Sequence, residues 1–152
     1  MAEIIEDYVS FETAKLLKEK RFNEECRDAY HPTDVPMTVI RYHRSPCKNN
    51  DLENEDCSSP TLQMAMKWLR EVHNILLVVD YIYECTNTFY VYKIYRLGEN
   101  GKPEREAIMG VSSKDNKEHV VGYRDYKLSY KDYATYKEAT EDGIKYCLEN
   151  LI

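Results

Sequence analysis

The chain has 152 residues, enough for one domain with a sizeable core and too short for two. Its 21 Lys+Arg against 27 Asp+Glu leave a net charge of −6, which excludes nucleic-acid binding by bulk positive charge. Leu, Ile, Val and Phe number only 33 while Tyr numbers 14, close to the aliphatic level below which chains stay unfolded, so tyrosine must carry part of the core.

In chain order, the segment Met1–Asp7 has neither a positive region nor an apolar stretch, so no secretory signal is expected. Ser10 precedes a one-sided stripe of Phe11, Ala14 and Leu17, with Leu16 beside it, and predicts a capped amphipathic helix to Lys20. Residues 23–36 carry Asn23, Asp28, Pro32, Asp34 and Pro36 and read as loop, followed by a short strand over Met37–Tyr42. From 44 to 59 the residues are Pro, Asn, Asp, Glu and Ser with little apolar but Leu52, which predicts a long exposed loop.

The second helix is the clearest element. Ser59 is read as its cap and Pro60 as its first residue, ahead of a stripe of Leu62, Ala65, Met66, Leu69 and Val72, with Asn74 as a left-handed end. Residues 75–83 are β-branched and aromatic and predict a strand; a second runs from Thr88 to Leu97. The Asn100-Gly101 pair predicts a hairpin into a third strand over 105–112, and a polar turn leads to a fourth over 119–129. Thr135 with Glu138 forms a capping box for a last helix whose stripe is Tyr136, Ala139, Gly143, Ile144, Cys147, Leu148 and Leu151. The order predicts one α+β domain over 1–152: an antiparallel meander sheet of three to four strands covered on one face by three helices.

Several segments resemble a family of small uncharacterised proteins from gut Bacteroidetes, their prophages and phages. They are Phe11–Phe22 (FETAKLLKEKRF), Ser59–Gln63 (SPTLQ) running into Lys67–Ile75 (KWLREVHNI), Thr135–Ala139 (TYKEA) and Lys145–Ile152 (KYCLENLI). The resemblance implies a mobile-element origin and an α+β fold, and it brings no catalytic or binding residues. Relatives tend to have Gly where Arg21 stands, so the first helix is expected to end differently here.

Several constellations invite a chemical reading and are outweighed by plainer ones. His31, His43, Cys47 and Cys57 offer imidazole and thiolate for a structural zinc, but their spacing lacks a tight knuckle. Asp51, Glu53, Glu55 and Asp56 alternate like a calcium loop without its glycine or its terminal glutamate, and read as a solvated run. No nucleophile elbow or metalloprotease signature surrounds any histidine or cysteine, and His73 reads as a cation at a helix C-terminus. The Gly98–Lys102 segment is a turn and not a phosphate cradle. No catalytic residue, metal or cofactor is assigned. Five dispersed cysteines, with no apolar run beyond Ile75–Val79, place the chain in the cytoplasm without a membrane span.

Ten of the fourteen tyrosines lie between Tyr81 and Tyr136, and residues 87–137 carry ten basic side chains against seven acidic. Tyrosine that simply fills the core is the plainest account. If the sheet has an interaction face, it is expected at Tyr81, Tyr83, Tyr90, Tyr92 and Tyr95. The functional expectation is a non-enzymatic module that binds a protein partner or a second copy of itself. Stacking of single-stranded nucleic acid on the same face is the alternative, disfavoured by the overall charge.

Overall fold

A computed structural model describes residues 5–35 and 38–152; Met1–Ile4, and Met37 of the expected short strand, lie outside them. The class is α+β, with every strand pair antiparallel. The strands are divided among three sheets, so the order of elements in the chain is not one continuous meander.

Helix α1, Phe11–Glu19, is capped by Ser10, whose hydroxyl accepts from the Thr13 N–H, and it buries Thr13, Ala14 and Leu17. Its end is a left-handed residue at Arg21, φ 67°. Phe22 N–H bonds the Leu17 carbonyl and Arg21 N–H that of Lys18, a closure that glycine serves at no steric cost and arginine serves under strain.

Residues read as loop form strand β1, Cys26–Pro32, because both its edges are filled: by β2, Val39–Cys47, and by β3, Cys57–Ser58. The expected exposed loop at 44–59 is likewise corrected. It contains the end of β2, a 3-10 turn over Asn49–Asp51 and β3, and Cys47, Asn49, Asp56, Cys57, Ser58 and Ser59 are buried. Polar groups order it where apolar ones are missing. Asn49 donates to the Phe22 carbonyl (2.7 Å) and accepts from Ser58 N–H (2.8 Å), while Lys18 donates to the carbonyls of Glu53 (2.9 Å), Asn54 (3.3 Å) and Asp56 (2.5 Å). Buried backbone groups must find such partners, and here side chains supply them.

Helix α2, Leu62–His73, starts two residues later than its sequence signature implies. Thr61 is the cap, accepting from Met64 N–H at 3.2 Å, because Ser59 and Pro60 are used outside the helix: Ser59 N–H bonds Asp28 and the Pro60 carbonyl accepts from Val9. Asn74 ends the helix at φ 55°. Leu62, Ala65, Trp68 and Leu69 are buried while Val72 is exposed.

Strands β4, Ile75–Glu84, and β5, Asn87–Arg96, form a hairpin of two ten-residue strands, and helix α3, Tyr136–Asn150, lies across it behind the Thr135–Glu138 capping box. Gly143 permits that approach: a Cβ there would stand 2.7 Å from Leu77 Cδ1 and 3.2 Å from Tyr92 Cγ. Glu141 of α3 accepts from Ser10 N–H (2.9 Å) and the Thr13 hydroxyl (2.5 Å), tying α3 to α1.

The turn at Gly98–Lys102 closes as expected, with Gly101 at φ 71°, but the following strand leaves the sheet. The outer edge of β5 is taken in series by Glu104, by β8, Lys127–Leu128, and by Tyr133, whose backbone exchanges two hydrogen bonds with Tyr90. Between them, among the described residues, β6, Glu106–Val111, and β7, Glu118–Arg124, pair only with each other in a two-stranded ribbon.

Candidate functional site

The five tyrosines expected at an interface do not form one surface. By register Val79 faces Tyr92, and Tyr81 faces Tyr90, so Tyr81, Tyr83, Tyr90 and Tyr92 share the face that α3 covers and Tyr95 lies on the other. Tyr92 is 1% exposed, packed against Tyr133 (ring centroids 5.9 Å) and Tyr146 (6.4 Å), and burial pushes its hydroxyl up to about 12. It is a core residue, which corrects its assignment to the interface. Tyr90 is half-buried under Tyr136, and Tyr95 packs on Tyr126. Only Tyr81 (59%) and Tyr83 (70%), at the hairpin tip beyond the end of α3, are open to solvent.

The basic side chains interleaved with these tyrosines are engaged inside the molecule. Lys93 pairs with Asp80 at 2.5 Å and stands over the Tyr126 ring, Lys131 stands over Tyr133, and Lys127 over Tyr146. Each of these cations thereby has an aromatic or carboxylate partner within the fold.

A second cluster, which sequence reading missed, surrounds two carboxylates of the first sheet. Asp56 accepts from His31 Nδ1 (2.6 Å) and the Tyr42 hydroxyl (2.8 Å); Asp28 pairs with His43 Nδ1 (2.9 Å) and, at 3.9 Å, with Arg41, whose guanidinium covers the Tyr8 ring. Burial acts to raise the Asp56 carboxyl, but the bonds from His31 and Tyr42 outweigh it and hold the group below its ordinary value; the same bond raises His31. Beside Asp56 runs an open groove of about 520 Å³ lined by Phe11, Lys15, Lys18 and Cys57. Its thiol is unsuited to nucleophilic attack, since burial pushes Cys57 up to about 11. Among the described residues no three His, Cys, Asp or Glu side chains converge to hold a metal. His73 also departs from expectation: it packs edge-on against Trp68 at 4.4 Å, with Nε2 buried and unbonded, and burial lowers its pKa. Burial thus disfavours the charged form, and the ring serves the packing against Trp68.

The third region is the β6–β7 ribbon. Register places Ala107, Met109 and Val111 of β6 on one face with Tyr123, Val120 and Glu118 of β7. A bulge between Ile108 and Met109 turns Val121 to the opposite face, where it lies over Gly110, 2.7 Å from a Cβ built there. Met109, Val111, Val120 and Tyr123 are half to two-thirds exposed. The apolar residues of both strands are visible in the sequence; their separation from the main sheet is not.

No protein-family model, curated protein or solved structure matches the chain. Among the described residues no helix is long and apolar enough to cross a membrane.

Proposed function

We propose that the protein is a non-enzymatic binding module that attaches another polypeptide chain to its β6–β7 ribbon. The observation that carries this reading is the apolar face of the ribbon, exposed on a pair of strands that the rest of the fold leaves without a third. An isolated two-stranded ribbon is marginal in water and free edges with apolar faces template pairing, so such a feature is stabilised by what binds it. The engagement of the sheet tyrosines and their neighbouring cations within the fold favours this over stacking of single-stranded nucleic acid. A cytoplasmic setting belongs to the same proposal and is supported by the unpaired thiols of Cys26, Cys57, Cys85 and Cys147. So does a mobile-element origin, which rests on the family resemblance of the helical segments.

Photo-crosslinking from Val111 or Tyr123 in the cell that makes the protein tests the reading. Discrete adducts that disappear with Met109→Glu are expected, with none from exposed control positions such as Glu71 on α2. Absence of adducts from the ribbon, or adducts indifferent to the substitution, overturns it.

A further inference from the structure

We infer that the chain attached to the ribbon is a second copy of this protein, packed face to face across a two-fold axis. The inference rests on the reading of the ribbon as a binding element and names its occupant.

Three features of the ribbon make it self-complementary. The first is charge. Residues 104–124 carry Arg105, Lys114, Lys117 and Arg124 against Glu104, Glu106, Asp115 and Glu118, so the segment is neutral and the whole −6 resides elsewhere. Two ribbons can meet without the like-charge repulsion that opposes contact between other parts of two acidic chains.

The second is the layout of the face that carries Met109; Val121 and Ile108 are exposed on the other. An apolar strip of Ala107, Met109, Val111 and Val120 has one hydroxyl donor at one end, Tyr123, and one carboxylate acceptor at the other, Glu118. An isologous contact places each patch on its own image reversed. Reversing this strip end for end about an axis across the strands lays Tyr123 of one copy over Glu118 of the other and Ala107 over Val111, and repeats the same pairs at the other end. Donor meets acceptor twice, and the strip between them is apolar on both sides. A partner of unrelated sequence has to match this arrangement by chance, whereas a second copy matches it by symmetry.

The third is the edge. β7 carries the bulge, which disrupts regular pairing along its outer side, and β6 has only six residues, Glu106–Val111. Long edge-to-edge extension is thereby disfavoured relative to stacking of the two faces, which are separated by about 10 Å in packed sheets. A face two strands wide is well below the roughly 800 Å² per partner of a standard interface, so the dimer belongs to the weak, concentration-dependent class.

Sedimentation equilibrium over a wide concentration range, with the full chain, decides the matter. The wild type is expected to form dimers that strengthen with concentration. Met109→Glu, Tyr123→Glu and Glu118→Lys each weaken association by about tenfold or more, the cost of setting an unmatched charge in the contact. The double variant Tyr123→Glu with Glu118→Lys regains at least half of that loss on a logarithmic scale, because the two positions meet only between copies. Positions 118 and 123 lie too far apart along β7 to pair within one chain, so rescue has no intramolecular explanation. All three positions are exposed, and unchanged circular dichroism separates lost association from lost folding. A wild type that stays monomeric throughout, or a double variant as weak as the singles, overturns the inference. Ribbon adducts whose mass is not twice that of the chain overturn the second copy while leaving the binding reading standing; no adducts at all overturn both.

Discussion

Two hairpins of this chain carry apolar and aromatic residues along both strands and have opposite fates. The β4–β5 hairpin is ten residues long on each side, has α2 and α3 against one face, and buries Ile75, Leu77, Tyr92 and Ile94. The β6–β7 ribbon has six and seven residues, contains Gly110 and Gly122, and leaves its Val, Met and Tyr side chains in solvent. Apolar content alone therefore does not mark a core strand. What differs is whether a helix follows closely enough in space to cover one face.

The comparison can be tested most severely through exchange of backbone amides. Hydrogen exchange at Leu77 and Ile94 is expected to require global unfolding, while amides of β6 and β7 exchange orders of magnitude faster in dilute solution and slow as concentration rises. Equal protection in the two hairpins at low concentration would remove the contrast. Side-chain truncation gives the next largest difference. Tyr92→Ala is expected to cost about 3–5 kcal/mol in urea unfolding, and Tyr123→Ala under about 0.5 kcal/mol, although both are tyrosines on strands of similar pattern.

Gly143→Val forces a branched side chain between Leu77 and Tyr92 and is expected to destabilise by about 1–3 kcal/mol, a cost borne only by the covered hairpin. Helix ends give smaller effects. Thr61→Ala removes the hydroxyl that caps α2 and is expected to cost about 1 kcal/mol, whereas Ser59→Ala, whose hydroxyl has no partner, is close to neutral. Arg21→Gly relieves a left-handed arginine and is expected to stabilise by about 0.5–1 kcal/mol.

The smallest effect is the pH dependence of the first sheet. The Asp56 carboxyl is lowered from 3.8 in the fold, so its contribution is present above that value and fades as pH falls through the lowered one. His31 is raised from 6.5, so its contribution is complete below 6.5 and is lost as pH rises through the raised value. The pair stabilises most between these limits. His31→Asn is expected to flatten the alkaline side of the stability profile, measured by urea midpoints across pH; an unchanged profile would show that the pair is solvent-screened.

Much of the local structure was legible because it depends on neighbours within a few residues. Ser10, Asn74 and the Thr135–Glu138 box act through backbone groups one turn away, and each stands where its residue type implies. Strand β1 was not legible, since Asp28 and Pro32 are poor strand residues; it exists because β2 and β3 fill both its edges. Thr61 displaced Ser59 as the cap for a similar reason, Ser59 being held by Asp28 far away in the chain. The site was less legible still. A tyrosine reads the same whether its ring is covered, as at Tyr92, or open, as at Tyr83, because the hydroxyl makes either location affordable.

Residue order alone specified the α+β class, the three helices with most of their ends, and the need for tyrosine in the core. These follow from short-range hydrogen bonding and from how much aliphatic surface the chain possesses. Tertiary structure decided which strands share a sheet, which tyrosines are covered, and that one hairpin leaves the body with its apolar face open. Those outcomes depend on which segments occupy the edge of β5, and Glu104, β8 and Tyr133 take it from positions well along the chain.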